Sequence, residues 1–366
     1  LSALDRSQAV IQFDINGNIL DANTNFLATM GYGLEEIKGQ HHSMFVEPAY
    51  EASDEYKQFW ARLKQGEFQA AEYKRIGKGG KQVWIQASYN PIRNKRGEVT
   101  KVIKFATDIT AQTMQNADFT GQISAINKVQ AVIEFELDGT IRTANDNFLN
   151  AMGYRLDEIQ GKHHSMFASA DYAVSQEYQA FWQALAAGKF QAGRYKRVGK
   201  DGNDVWIQAS YNPVLDPSGK PIKVIKYATD ITDQVIQNAD FSGQIAAIEK
   251  AQAVISFDLK GIIIDANDNF LNTLGYSLDE IKGQHHRLFV EDAYASSNEY
   301  KLFWEKLGRG EFDAAEYKRI GKGGKEVWIQ ASYNPIFDPD GKPFKVAKYA
   351  TDITAQVLAN DESKRV

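Results

Sequence analysis

Six histidines are the only imidazoles in this 366-residue sequence, and they stand in three adjacent pairs: His41-His42, His163-His164 and His285-His286. An imidazole can ligate haem iron or another metal, move a proton near neutral pH, or hydrogen-bond the chain. Cysteine is absent. That excludes disulfides, thiolate zinc sites, iron–sulfur clusters, covalently attached c-type haem and any cysteine nucleophile. Any haem iron or histidine-bound metal must therefore use these pairs. Neighbouring residues do not share a helix face, so at most one member of each pair points inward. Met44 and Met166 are the sulfur atoms nearby, but Leu288 stands at the third position, so a Met ligand cannot be common to all three places. The plain alternative is that these histidines bond loop backbone or water, which is the commoner role.

The pairs sit on a ruler. Trp60, Trp182 and Trp304 are 122 residues apart, as are Trp84, Trp206 and Trp328, and as are the histidine pairs. The chain is thus three copies of a domain-sized unit, too long for a solenoid repeat. Trp60, Trp182 and Trp304 lie on the apolar face of a helix and would either stack on a flavin or porphyrin or simply fill the core. Around Trp84, Val83, Ile85 and Ala87 alternate with Trp84, Gln86 and Ser88; one face must look at the interior, and alternation alone does not say which. Gln86, Gln208 and Gln330 would bond a polar ligand if theirs is the inner face. The middle copy departs from the others at Gly193-Arg194 and Ala168-Ser169-Ala170.

The elements that must position these residues can be read from one copy. Ala9–Asp14 reads as a strand, Asn16-Gly17 as a turn and Ile19–Asp21 as its partner. Asn23 is placed to cap a helix over 25–30 that stops at Gly31. A short helix over 34–38 follows, with a capping-box pattern at Ser277 and Glu280 in the third copy. Tyr56, Phe59, Trp60 and Leu63 set a helical face over 55–64. Strands are predicted over 68–75, 82–89 and 99–107. The result is an α+β domain: a five-stranded antiparallel sheet with short flanking helices. The joints are helical, with Phe119, Ile123 and Ile126 at i, i+4 and i+7, Phe241, Ile245 and Ile248 repeating them, and Gly121 and Gly243 as weak points. The expected organisation is domains over 1–110, 129–232 and 251–354, connectors over 111–128 and 233–250, and the start of another connector over 355–366. Leu1 and Leu4 correspond to Ile123 and Ile126. Both ends therefore fall inside a connector, and the missing initiator Met predicts a processed chain or a fragment that continues both ways.

Composition removes several functions. Forty-two basic residues against 47 acidic ones leave a formal charge of -5, with no basic excess for nucleic acid. No apolar run approaches the roughly 18 to 20 residues of a membrane span. The expectation is a cytoplasmic protein without direct membrane insertion. Gly77-Lys78-Gly79-Gly80-Lys81 lacks the spacing of a phosphate loop and reads as a hairpin turn. Tyr73-Lys74-Arg75 reads as a solvated strand edge. No catalytic set recurs, so the chain is expected not to be an enzyme.

The ordered motifs Asn25–Leu27, Gly31-Tyr32, Glu36–Gly39, Gly66–Phe68, Tyr73–Arg75, Gly79–Ile85, Asn90–Ile92 and Asp108–Thr110, three times over, resemble a PAS domain with its C-terminal motif. The closer likeness is to PAS modules of bacterial chemotaxis transducers of the aerotaxis and biofilm-dispersion types. A light-oxygen-voltage photoreceptor is also similar in fold, but its chemistry requires a pocket cysteine. The resemblance implies sensing: a small ligand or cofactor held between sheet and helices, with the change passed through the connecting helices of a homodimer to a C-terminal chemotaxis-type output domain. Haem b is the first cofactor to consider, with one of each histidine pair as axial ligand and Phe45, Phe167 and Phe289 as apolar wall. Flavin comes second, and no cofactor third. The rival reading is a cofactor-free dimerisation scaffold. The triplets Asp108-Ile109-Thr110, Asp230-Ile231-Thr232 and Asp352-Ile353-Thr354 are expected to carry the signal from last strand to connector, Asp or Thr capping the helix and Ile anchoring the joint.

Overall fold

The computed structural model describes residues 7–364, and side chains through residue 360; Leu1 and Leu4 lie outside the described residues. The first repeat contains strands β1 (Ala9–Asp14), β2 (Ile19–Ala22), β3 (Gln69–Ile76), β4 (Gln82–Arg93) and β5 (Val99–Asp108). They form an antiparallel sheet in the order β2-β1-β5-β4-β3. The second repeat supplies β6 (Ala131–Phe135), β7 (Ile141–Ala144), β8 (Gln191–Val198), β9 (Asp204–Leu215) and β10 (Pro221–Asp230), and the third β11 (Ala253–Phe257), β12 (Ile263–Ala266), β13 (Asp313–Ile320), β14 (Glu326–Phe337) and β15 (Pro343–Asp352). Both sheets repeat the same strand order. Two compact units make up the chain: the first repeat lies in one, the third in the other, and the middle repeat is divided between them.

Local chemistry explains the elements. Ala9, Ile11 and Phe13 of β1 are buried while their neighbours are not, the period of a strand with one covered face. Asn23 caps the helix Thr24–Met30 by accepting the Phe26 N–H, and Gly31 ends it in the left-handed region at φ 79°. Glu280 accepts the Ser277 N–H at 2.8 Å. Glu36 and Glu158 do the same for Gly33 and Arg155, so the glutamate half of the box works without a hydroxyl residue at the cap. The longer helix Asp54–Gln65 buries Tyr56, Phe59, Trp60 and Leu63 against the sheet, the face expected from the spacing.

Strand β4 continues through Asn90-Pro91 to Arg93, beyond the expected end at Tyr89. Gln69 pairs with Tyr89, so β3 stops there and residues 90–93 pair with β5 alone. Proline is tolerated on such an edge stretch. The joints are helices Thr110–Val129 and Thr232–Ala251, each of 20 residues, about 30 Å of rod. They run unbroken through Gly121 and Gly243 and start at Thr110 and Thr232, so the last residue of each Asp-Ile-Thr triplet belongs to the helix. A third helix begins at Thr354.

Candidate functional site

The histidine pairs are split by the fold. His42, His164 and His286 open the one-turn 3-10 helices His42–Phe45, His164–Phe167 and His286–Phe289, and all three are fully buried. The preceding histidines stay at the rim. His41 Nδ1 accepts the Ser43 N–H at 3.1 Å while its Nε2 lies 2.9 Å from the Asn16 carbonyl oxygen, which makes Nε2 the protonated nitrogen. Gly17, at φ 87°, permits this approach: a Cβ there would stand 2.6 Å from His41 Nε2 and 3.0 Å from Trp60.

Inside, His42 Nδ1 lies 2.7 Å from the Tyr56 hydroxyl and Nε2 3.0 Å from that of Tyr89. His286 repeats this with Tyr300 at 2.8 Å and Tyr333 at 2.9 Å. In the middle repeat, His164 meets Tyr178 and Tyr211 at 2.8 and 3.0 Å. Burial, with Arg75 and Lys104 nearby, holds His42 well below its ordinary pKa, and burial with Arg319 and Lys348 does the same for His286. The imidazole is neutral, with one donor and one acceptor, both used. Phe13, Trp60 and Tyr89 lie edge-on to His42 with centroids at 5.3, 5.4 and 5.6 Å. Phe45 completes the wall at 6.3 Å.

Those separations are ring-to-ring van der Waals contact. A porphyrin could reach His42 only by displacing an aromatic side chain, and iron only by displacing Tyr56 or Tyr89 from a ring nitrogen. As packed, the core does not fit a haem. Trp60, Trp182 and Trp304 are core residues, 7, 7 and 8% exposed. The inner face of β4 is Val83, Ile85, Ala87 and Tyr89; Gln86 faces outward, as do Gln208 and Gln330.

The core also holds cations that the sequence reading placed in solvent or passed over. Arg75 is 2% exposed, which corrects the reading of Tyr73-Lys74-Arg75 as a solvated edge. β3 is an edge strand, but Lys74 turns outward to pair with Glu47 at 2.5 Å, while Arg75 turns inward and donates to the Tyr89 hydroxyl at 3.0 Å. Lys104 is 1% exposed, its Nζ 5.0 Å from the Tyr89 ring and 5.4 Å from the Phe26 ring. Arg319 and Lys348 repeat the arrangement about Tyr333. Lys348 Nζ, Arg75 Nε and Arg319 Nε are buried without a hydrogen-bond partner. No carboxylate forms an ion pair with any of these four cations among the described residues. Burial pushes both lysines well below their usual pKa, with Arg75 or Arg319 adding to it. The signal was available: Lys104 is in phase with Val102 and Ala106, which are buried, and lysine stands again at 226 and 348.

The Asp-Ile-Thr triplets tie this core to the connectors. Ile109 N–H donates to the Trp84 carbonyl at 2.9 Å, and Thr110 Oγ1 accepts the Trp84 N–H at 2.9 Å. Asp108 Oδ1 accepts the Thr110 N–H, also at 2.9 Å. Trp206 with Asp230, Ile231 and Thr232, and Trp328 with Asp352, Ile353 and Thr354, make the same set. The threonine hydroxyl therefore grips β4 instead of capping the helix, and Ile109 is half-buried at the joint. Strand β4 carries Trp84 at one end and Tyr89, the partner of His42, five residues on.

Among the described residues no helix is long and apolar enough to cross a membrane, and no group of three or more His, Cys, Asp or Glu could hold a metal ion. The chain is 42% identical over 232 residues to the biofilm dispersion protein BdlA of Pseudomonas aeruginosa, covering 63% of this chain and 56% of that one. It is 31% identical over 101 residues to the aerotaxis receptor of Escherichia coli, 28% of this chain and 20% of the receptor. With the oxygen sensor protein DosP of Escherichia coli it shares 25% identity over 141 residues, 38% of this chain and 17% of that protein. The chain thus spans little more than half the length of the first of these relatives and a fifth or less of the others. The family profile of the PAS fold matches residues 19–106, 141–228 and 263–350, the segments that run from β2, β7 and β12 into β5, β10 and β15. Three times over, the chain belongs to the PAS-fold family.

Proposed function

We propose that this chain is the sensory part of a bacterial chemotaxis-type receptor, acting in the cytoplasm without catalysis of its own. Each PAS core takes up a small organic ligand, and the connecting helices relay the change. The carrying observation is the course of β4: one strand hydrogen-bonds the helix start through Trp84 and Thr110 and bonds the buried histidine through Tyr89. A shift at His42 moves Tyr89, and the strand transfers that movement to the joint. The unpaired buried donors support a ligand that brings acceptors into the core, since buried donors are otherwise almost always paired. The similarity to a biofilm dispersion protein and an aerotaxis receptor supports the sensory role and an output domain C-terminal to the third repeat. Exposed Phe119, Ile123 and Ile126 form a stripe that a second copy of the chain would cover, which supports a homodimer.

The second reading, a cofactor-free dimerisation scaffold, is favoured by the packing about His42, where both ring nitrogens already have partners. Absorption of freshly purified protein, followed by replacement of His42 with Ala, tests both. A Soret or flavin band that the substitution abolishes would overturn the small-ligand reading in favour of haem b or flavin. A colourless protein whose receptor output survives Thr110→Val, Thr232→Val and Thr354→Val would favour the scaffold. Output lost in those variants, with each domain still folded, supports relay.

A further inference from the structure

The three repeats share a core but not a surface. In the third, the turn at Leu259-Lys260, the loop at His285 and Arg287, and the start of the helix Asn298–Gly308 enclose a cleft of about 690 Å³. That size suits a metabolite-sized ligand. Trp304 and His285 form its wall, with ring centroids 5.9 Å apart. Its charged lining is Lys260, Arg287, Lys301 and Glu305. Neither Lys260 nor Arg287 has an ion-pair partner among the described residues, and Lys301 meets Glu305 only at 3.8 Å.

The corresponding positions elsewhere are different. The first repeat has Asn16, Ser43, Lys57 and Ala61, and the second Asp138, Ser165, Gln179 and Gln183. Three cations and one carboxylate in the third repeat thus replace one cation in the first and a lone carboxylate in the second. The cleft also meets the positive end of an 11-residue helix, whose cap Ser297 accepts the Tyr300 N–H at 3.1 Å. Asp258, the carboxylate of the neighbouring turn, is occupied by the Lys260 and Ile262 N–H groups at 2.8 and 2.9 Å. Uncompensated positive charge around a concave site concentrates anions there.

We propose that this cleft binds a small organic anion through its phosphate or carboxylate groups, and that only the third repeat does so. The cleft shares Tyr300 and Trp304 with the aromatic core, but its charged groups lie outside that core and do not depend on a ligand there.

The test is calorimetric titration of the whole chain with pyrophosphate and with citrate, comparing wild type with Lys260→Asn/Arg287→Ser. Those substitutions install the first repeat's own residues, so the fold tolerates them, and an unchanged melting temperature checks this. The expected result is one equivalent bound per chain, weakened about tenfold in the variant, as loss of two exposed charges implies. Binding of pyrophosphate alone assigns a phosphate ligand, and of citrate alone a carboxylate ligand; either supports the site. No binding of either probe, equal affinity in the variant, or three equivalents per chain would overturn it.

Discussion

Replacing Lys348 with Met should make the third repeat more stable, although it exchanges a fully buried side chain in the centre of the core. Lys348 is fully buried between Tyr333 and Phe270, with Nζ 4.9 and 5.5 Å from the two ring centroids and no hydrogen-bond partner. Burial first, then Arg319, holds its pKa well below 10.5. In the unfolded chain the amine keeps its proton up to about pH 10.4, so folding expels a proton throughout the window between the depressed value and that limit. Stability therefore rises with pH across the window, by about 1.4 kcal/mol per unit. Methionine has a similar volume and no charge; Lys348→Met removes that slope, and with it a deprotonation cost of about 1.4 kcal/mol for each unit between the working pH and about 10.4. Urea unfolding at pH 7, 8 and 9, with hydrogen exchange read on peptides from β14, measures both quantities. A destabilised variant with the wild-type pH slope would mean that Lys348 is charged and holds the two rings together, and the reasoning would be wrong.

Two further outcomes follow from the same geometry. His42 and His286 are held neutral in the fold, so the unfolded chain takes up protons first as pH drops below about 6.5; stability should fall there by roughly 1.4 kcal/mol per pH unit for each histidine, and a urea midpoint that stays constant from pH 7 to pH 5.5 would contradict this. Gly17→Ala should cost about 1–3 kcal/mol, because φ 87° and a Cβ 2.6 Å from His41 Nε2 are both unfavourable, whereas Gly121→Ala, with nothing within 4 Å of the new Cβ, should stabilise its helix by about 0.5–1 kcal/mol; thermal melts of the two variants moving in the same direction would refute the contrast.

Much of this arrangement can be read in the sequence because each signal is local. Asn23 and Gly31 bracket a helix by capping chemistry, and Tyr56, Phe59, Trp60 and Leu63 mark one face of another. The 122-residue ruler supplies the strand set three times. What local patterns do not reveal is which face of β3, β4 and β5 turns inward. On β5 the bulky apolar residues Ile103 and Phe105 suggest one inner face, while the structure buries Val102, Lys104 and Ala106 instead. Charge misleads at Arg75 for the same reason: a guanidinium reads as solvent-facing until Tyr89, fourteen residues away, is seen to accept from it. The histidine pairs could be narrowed to one inward member by spacing alone. That the second one turns in, and meets two tyrosines 14 and 47 residues distant, depends on tertiary packing.

The relay along β4 is tested most directly by amide exchange in the whole chain. Tyr89→Phe removes the hydroxyl shared by His42 and Arg75 and touches nothing at the joint. The Thr113 N–H, bonded to the Ile109 carbonyl at 2.8 Å, reports on the first turn of the helix Thr110–Val129. Relay along β4 requires faster exchange over 110–114 in Tyr89→Phe, and no such response to Tyr89→Phe once Thr110→Val has released the helix from Trp84. Exchange that quickens within β4 but stays at the wild-type rate over 110–114 would contradict it.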